Sequence, residues 1–354
     1  MPEQESLNRP SWLPGFLNRL ADPAIDTVLL CGCGGGFDFV HGMILYPELQ
    51  RLGKKVIIGS YSFGRPEEIG EPAETVFSQS GAVVKQVTGK SQPKPSYGPE
   101  VHLCRFLDSR FPQEAPHFIY AYYARVFTVP LLSRFYRQLV EAHRIDAIVL
   151  VDGGSDSLMA GDEEGLGDPI EDAVSVAAVA GLEPLKEKLL ITIGFGADRF
   201  NQVSDAASLR AVAELTRLGG YLGALGLDPE SAGFQFYRSA LDYIQAGQGP
   251  GGFRSVIAGA ILAAGEGAFG SGQVPARLQP RVGPGEMFLW PLMAMLWGFD
   301  VDRVAERSLI CDWIKGCATI PECQAALWEG RSRLGKGIRG VENLPRHEEM
   351  RYEG

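Results

Sequence analysis

An acidic stretch of unusual composition occupies residues 152–172. Eight of its side chains are carboxylates, and no Lys or Arg occurs between Arg144 and Lys186. Carboxylates this close together repel one another unless a cation or a basic segment from elsewhere in the fold approaches them. We therefore predict a functional site in this stretch. Its acidic residues are Asp152, Asp156, Asp162, Glu163, Glu164, Asp168, Glu171 and Asp172.

Three of these residues, Asp152, Asp156 and Asp162, are the predicted catalytic groups and metal ligands. Asp152 follows the apolar run 147–151, which predicts a strand, and active sites of α/β proteins lie at the carboxyl ends of strands. Oxygen-only ligand sets suit Mg²⁺ or Mn²⁺ rather than zinc, so we expect Mg²⁺ as the cofactor. Two alternatives stay open: direct binding of a cationic amine or guanidinium group, and a solvated run of charge at residues 162–164.

Part of the acidity has a structural explanation. Asp168 followed by Pro169 is typical of a helix start, and the residues after them predict a helix over 170–180. Glu171 and Asp172 would then lie in the first turn, where the helix dipole favours negative charge.

A glycine-rich turn follows the apolar run 27–31. It spans residues 32–38, and the helical pattern and apolar run 56–58 that come next complete a βαβ unit. Glycines at such a turn allow a ligand to approach the backbone N–H groups, as in phosphate-binding loops. The dinucleotide-binding fingerprint is incomplete, because Phe37 stands where its third glycine should be. The predicted ligand-binding residues of this turn are Gly34, Gly35, Gly36 and Asp38.

The same order of strand, glycine and acid recurs after residues 188–193, which are predicted to form another strand. Turns of this kind on parallel strands would face one crevice together with the acidic stretch. His41 and His117 are candidate bases for that crevice. The remaining predicted ligand-binding residues are Gly153, Gly154, Gly196 and Asp198.

Composition limits the class of protein. The chain has 354 residues, of which 45% are hydrophobic and 21% charged, which is enough for a large buried core. The net charge of −10 argues against nucleic acid or an anionic membrane as a partner. Residues 1–9 lack the pattern of a signal peptide, and the apolar segment 287–299 is too short to cross a bilayer. The six cysteines show no CxxC spacing, and we expect a cytoplasmic protein.

Apolar runs that alternate with helical patterns predict an α/β fold with a doubly wound, mostly parallel sheet and a Rossmann-like glycine-rich turn. We expect residues 1–25 to form a lead-in, 26–330 a single domain and 331–354 a charged tail. An internal domain boundary, if there were one, would lie at 265–285.

Two segments, 30–42 and 149–173, resemble the domain-of-unknown-function family numbered 1152. The family typically carries a glycine-rich turn followed by Asp, which corresponds to Asp38, and an Asp-Gly-Gly-x-Asp-Ser-Leu run, which corresponds to residues 152–158. The likeness spans roughly residues 25–330. It implies an α/β fold and the location of the site, and it supplies no reaction.

These observations favour an enzyme that binds a phosphorylated or nucleotide-like small molecule with Mg²⁺ and performs hydrolysis or group transfer. One alternative is a nicotinamide-dependent enzyme acting on an amine. Another is a non-catalytic ligand-binding or assembly protein, in which the segment 287–299 would contribute to a homo-oligomer interface.

Overall fold

Nine strands form one sheet in the part of the chain that the computed structural model describes, residues 13–94, 96–341 and 343–344. They are β1 (Thr27–Gly32), β2 (Lys55–Ser62), β3 (Glu74–Gln79), β4 (Ala82–Thr88), β5 (Phe118–Tyr123), β6 (Ala147–Gly153), β7 (Glu187–Ile193), β8 (Tyr221–Gly226) and β9 (Met295–Asp300). Their order across the sheet is β3-β4-β5-β2-β1-β6-β7-β9-β8.

The five central strands, β5, β2, β1, β6 and β7, run parallel to one another. The α/β class is therefore correct, but the sheet is mixed rather than mostly parallel. At one edge β3 and β4 add as an antiparallel pair, and at the other β9 and β8 do so. The β3–β4 hairpin closes through Ser80 and Gly81, both with positive φ, which is the geometry of a two-residue hairpin turn.

Helices cover both faces of the sheet. They are α1 (Gly15–Leu20), α2 (Asp38–His41), α3 (Tyr46–Arg51), α4 (Pro66–Ile69), α5 (Pro99–Arg110), α6 (Val129–His143), α7 (Pro169–Ala180), α8 (Asp205–Arg217), α9 (Ala232–Gln248), α10 (Val256–Gly265), α11 (Val301–Arg307), α12 (Leu309–Ile314) and α13 (Ile320–Leu334). In the described residues, none of these helices combines the length and the apolar character needed to cross a membrane.

Alternate residues of β6 belong to different cores, as the period of a strand requires. Ile148 and Leu150 pack in the core that includes residues of α6 and α7, whereas Val149 and Val151 pack in the core that includes residues of α5 and α9. Asp152 continues this alternation, so its side chain falls on the same face as α7. The carboxyl end of β6 thereby brings Asp152 towards the first turn of that helix.

The turn after β1 does not lead into one long helix. The helix that follows it, α2, has four residues, and a 3-10 helix, Gly42–Ile44, comes next. A dinucleotide-binding turn directs the N-terminus of a longer helix at the pyrophosphate. The structure therefore does not confirm the predicted Rossmann-like turn.

Candidate functional site

A cavity of about 450 Å³ lies at the carboxyl ends of β1, β6 and β7. Its floor is made of carboxylates, and its walls are largely aromatic and aliphatic. The residues that line it are Gly34, Gly35, Phe37, Asp38, Phe63, Asp152, Gly153, Asp156, Asp168, Glu171, Asp172, Asp198, Phe200, Asn201, Phe253, Ser255, Val256, Ile257, Arg281, Val282, Glu286 and Met287.

Most of the residues predicted from sequence to form a site meet at this cavity. Asp38, Asp152, Asp156 and Asp198 line it together with Gly34, Gly35 and Gly153. The other predicted glycines, Gly36, Gly154 and Gly196, are not among the lining residues.

Three carboxylates form the tightest group. One oxygen from each of Asp38, Asp152 and Asp172 lies within 4.8 Å of the others. Asp38 accepts hydrogen bonds from the N–H of Gly34 at 2.9 Å and of Gly153 at 3.2 Å. Asp172 is only 5% exposed, and its Oδ1 has no hydrogen-bond partner. Buried polar atoms are nearly always paired, so this oxygen indicates a missing partner.

The group has no basic partner in the part of the chain that the structure describes. Among the described residues, no salt bridge joins a Lys, Arg or His to Asp38, Asp152, Asp156, Asp172 or Asp198. The salt bridges that the structure does contain lie elsewhere. Buried charges are normally paired or bound to a metal, so this set of carboxylates is costly to ionise without a cation.

Burial and mutual repulsion raise the pKa of these carboxyls. The pKa of Asp172 lies well above its ordinary range, first because of burial and then because of Asp156, Asp152 and Asp38. Burial also raises the pKa of Asp156 to about 6. For Glu171, burial followed by the charge of Asp168 raises the pKa to about 7. The pKa values of Asp38, Asp152 and Asp198 are raised in the same direction, with burial as the largest cause.

Glycines let the backbone approach the carboxylates closely. A methyl group at Gly34 would lie 2.8 Å from Asp172 Oδ1, and one at Gly153 would lie 2.9 Å from Asp38 Oδ1. At Gly154 it would lie 2.2 Å from Asp198 Oδ2. The glycines that follow β1 and β6 therefore provide space for the acidic group.

The N–H groups of the glycine-rich turn already have partners. The N–H of Gly34 donates to Asp38, and that of Gly36 donates to the carbonyl oxygen of Tyr61 at 3.0 Å. The N–H of Gly35 donates to Glu171. In this conformation the turn binds carboxylates of the protein itself.

Asp162 does not line the cavity. It forms a salt bridge with Arg339, and the neighbouring Glu163 pairs with both Arg339 and Arg307. Arg331 donates to the carbonyl oxygens of Gly161 and Glu163. The basic segment that compensates residues 161–164 therefore comes from the C-terminal part of the chain. These arginine contacts hold Asp162 away from Asp152 and Asp156.

His41 lies behind the floor of the cavity. It is 1% exposed, its Nδ1 is 2.7 Å from the hydroxyl of Tyr237, and burial lowers its pKa to about 3. A methyl group at Gly153 would lie 2.5 Å from His41 Nε2, so the ring packs directly beneath the end of β6. His117 is elsewhere and forms a hydrogen bond with Asp108 at 2.9 Å.

Asp172 and Glu171 belong to the acidic stretch but were not among the predicted catalytic, ligand-binding or metal-binding residues. Their position in the first turn of α7 gave each a sufficient structural explanation. The sequence did carry a signal that these two residues lie at the site. The helix α7 starts at the end of the acidic stretch, and the residues that follow, 173–180, are almost all apolar. The aromatic wall and Arg281 come from distant parts of the chain, so no local pattern connects them with the carboxylates.

Comparison with known proteins gives one match. No curated protein and no solved structure matches the chain. A family model described as "Protein of unknown function (DUF1152)" matches residues 130–331, which include the acidic stretch but not the glycine-rich turn after β1. The match covers more than half of the 354 residues, in agreement with the resemblance seen in the motifs. The chain belongs to this family, DUF1152.

Proposed function

We propose that this protein is a divalent-cation-dependent enzyme acting on a small molecule, with Asp38, Asp152 and Asp172 as the cation ligands. The observation that carries the proposal is the group of three buried carboxylates that have no basic partner among the described residues. One of the three has an oxygen with no hydrogen bond. Six-coordinate Mg²⁺ at about 2.1 Å from each oxygen keeps its ligands about 3 to 4 Å apart. Oxygens already within 4.8 Å of one another need only a small contraction to reach that spacing.

The hypothesis favours hydrolysis or group transfer on a phosphorylated or nucleotide-like ligand. A bound divalent cation would supply Lewis-acid stabilisation of charge on such a ligand. In this proposal the phosphate reaches the cavity through the cation, because the N–H groups of Gly34 to Gly36 are engaged by the protein. The same engagement weakens the nicotinamide alternative, which needs free N–H groups for a pyrophosphate.

The chain's own residues have separate tasks in this proposal. Asp38 is held by two backbone N–H groups and so fixes one side of the cation site. Asp152 accepts a hydrogen bond from the hydroxyl of Ser157, which orients its carboxylate. The aromatic and aliphatic walls exclude water around the reacting group. Of the three residues first expected as metal ligands, Asp152 keeps that role, Asp156 lies beside it, and Asp162 is not included because Arg339 binds it.

The cytoplasmic location, the small-molecule partner and homo-oligomerisation remain part of the proposal. The cysteine pattern supports the first, and the cavity of about 450 Å³ supports the second because it has the size of a small-ligand site.

A thermal-shift screen tests the proposal. Nucleotides and sugar phosphates are added with and without Mg²⁺ to the wild type, to Asp152→Asn and to Asp312→Asn, a control on the surface of α12. We expect a rise in melting temperature with Mg²⁺, and a further rise with a phosphorylated ligand only when Mg²⁺ is present. Both should be absent in Asp152→Asn and retained in Asp312→Asn. Equal shifts in Asp152→Asn and the wild type would contradict the site, and no Mg²⁺-dependent shift in the wild type would favour the assembly alternative.

A further inference from the structure

The four exposed phenylalanines of the described chain lie together at the mouth of the cavity. Phe63 and Phe200 line the cavity, and Phe288 follows Met287, which also lines it. The ring of Phe269 lies 5.3 Å from that of Phe288. The exposed fractions of Phe63, Phe200, Phe269 and Phe288 are 40%, 57%, 73% and 37%. Single exposed apolar side chains are ordinary, but a group of them beside a cavity marks a binding surface. These four residues are called the phenylalanine rim below.

Phe63 joins the rim to the floor of the cavity. A methyl group at Gly35 would lie 2.2 Å from Cε1 of Phe63 and 2.5 Å from Oε2 of Glu171. The ring and this carboxylate therefore lie next to each other over the glycine-rich turn. On the other side of the cavity, Phe200 comes two residues after Asp198, which also lines it. The apolar surface of the rim thus begins where the carboxylates of the floor end.

The segments that carry the rest of the rim are fixed in place. Gly270 and Leu289 exchange two backbone hydrogen bonds, at 2.8 and 3.0 Å, and so join the residues that follow Phe269 and Phe288. The guanidinium carbon of Arg199 lies 5.3 Å from the centre of the Phe288 ring. Because these contacts position the rings before a ligand binds, covering them costs less conformational entropy.

The chemistry of the rim favours a hydrocarbon group as its ligand. Its side chains are phenyl rings, which neither donate nor accept conventional hydrogen bonds. A nucleobase or a sugar would lose water from its polar edge without gaining partners from these rings, whereas a hydrocarbon chain needs only apolar surface. The cavity volume of about 450 Å³ is also typical of sites for ligands larger than a cation and a phosphate group.

We propose that the substrate is a phosphorylated amphiphile, a phosphate monoester of a hydrocarbon chain, with the chain lying across the phenylalanine rim. The inference rests on the proposed function, because the phosphate is bound through the divalent cation, and it adds the identity of the apolar group. The amphiphile binds as a single molecule from solution, since the net charge of −10 disfavours contact with an anionic membrane surface.

A series of alkylphosphonates tests this inference, because their carbon–phosphorus bond resists hydrolysis. Ethyl-, butyl-, hexyl- and octylphosphonate are titrated calorimetrically into wild-type protein that contains Mn²⁺, and Mn²⁺ binding is followed separately by electron paramagnetic resonance. We expect the affinity to rise about two- to fourfold for each added methylene group, as burial against apolar surface predicts.

Variants of the rim test whether it is the surface that the chain covers. Phe200→Ala should weaken octylphosphonate binding about tenfold and leave ethylphosphonate and Mn²⁺ binding unchanged, because only the longer chain reaches the missing ring. Phe269→Ala should likewise affect only the longer phosphonates. Trp328→Ala is the control, since Trp328 is 68% exposed on α13 and does not line the cavity. It should keep the full dependence on chain length.

The outcomes separate this inference from the proposed function. If Mn²⁺ and ethylphosphonate bind but affinity does not rise with chain length, the amphiphile is wrong and the proposed function stands. If no phosphonate binds in the presence of Mn²⁺, both are wrong. Tighter binding of adenosine monophosphate than of hexylphosphonate would overturn the amphiphile. A wild-type dimer that Phe269→Ala converts into a monomer would assign the rim to a second copy of the chain and would overturn it as well.

Discussion

Asp172 is the residue at which structure and function conflict most. Its carboxyl group is buried beside four other carboxylates, and burial, followed by their charges, raises its pKa. Such a group lowers the stability of the protein without its ligand, which is common for residues retained for activity. The amide of Asn has nearly the same shape and no charge, so it separates the two contributions.

We predict that Asp172→Asn stabilises the cation-free protein and abolishes cation binding. At pH 8 in EDTA the melting temperature should rise by about 2 °C or more, because repulsion in the floor is relieved. Affinity for Mn²⁺ should fall by more than about tenfold. Calorimetry measures both, and Asp312→Asn should change neither. A lower melting temperature together with unchanged Mn²⁺ affinity would count against the assignment.

Gly153 tests whether the glycines make space for the floor. It ends β6, and a methyl group there would lie 2.5 Å from His41 Nε2 and 2.9 Å from Asp38 Oδ1. We predict that Gly153→Ala costs about 1–3 kcal/mol of unfolding free energy and weakens Mn²⁺ binding, since Asp38 must move.

Gly226→Ala is the matched control for that prediction. Gly226 ends β8, and a methyl group there meets nothing within 4 Å. Urea denaturation should show a change within about 0.5 kcal/mol for this variant. Similar costs for the two substitutions would show that space around the carboxylates is not the reason for glycine at 153.

At the scale of elements, the acidic stretch is positioned from both ends. Its first part continues β6, and its last part begins α7. Between them, residues 161–164 are held by arginines of α11, α13 and the segment after α13. The side chains of Arg307 and Glu163 are 9% and 6% exposed, so their salt bridge is almost fully buried.

We predict that Arg307→Ala destabilises the protein by about 3 kcal/mol, because Glu163 would lose a buried partner. Mn²⁺ affinity should also decrease, since Arg307 additionally donates to the carbonyl oxygen of Leu158, two residues from Asp156. Arg333→Ala is the control. Its pair with Glu329 is 73% and 66% exposed, and the expected loss is below about 1 kcal/mol. Equal losses in urea denaturation would contradict a structural role for the buried arginine.

Local sequence patterns predicted those parts of the site that depend on one strand and its turn. Asp38 and Asp198 each follow a predicted strand and its glycines, whereas Asp152 comes directly after a predicted strand. All three line the cavity. The positions of Asp162 and Phe253 depend on distant partners, Arg339 and Phe37, and no pattern within either segment specifies them. For the sheet, the parallel centre followed from the βαβ pattern. The β3–β4 hairpin was not predicted, although the dipeptide Ser80-Gly81 is a sequence signal for its turn.

For the whole molecule, the floor makes stability depend on pH. The pKa of Glu171 rises from its ordinary value near 4.5 to about 7, and that of Asp156 rises from 3.8 to about 6. At a pH above these ordinary pKa values, the folded protein therefore binds more protons than the unfolded chain. Stability from these groups is fully present below about pH 4 and is lost as the pH rises through 6 and 7.

We predict that, in EDTA, the free energy of unfolding contributed by the floor decreases between about pH 4.5 and pH 7. Saturating Mg²⁺ should reverse most of this decrease, because a cation favours the ionised carboxylates and binds only the folded state. Urea denaturation across this range measures the effect, with Glu171→Gln as the variant in which the slope should be smaller. A slope that neither Mg²⁺ nor Glu171→Gln alters would show that other groups govern it.

The most direct test of the cation site is an anomalous difference map from crystals grown with Mn²⁺ at pH 8. We predict one strong peak bound by carboxylate oxygens of Asp38, Asp152 and Asp172, with the same position empty in Asp172→Asn crystals. A map from well-ordered wild-type crystals with no peak among these three residues, or with Mn²⁺ only on the surface, would contradict the account.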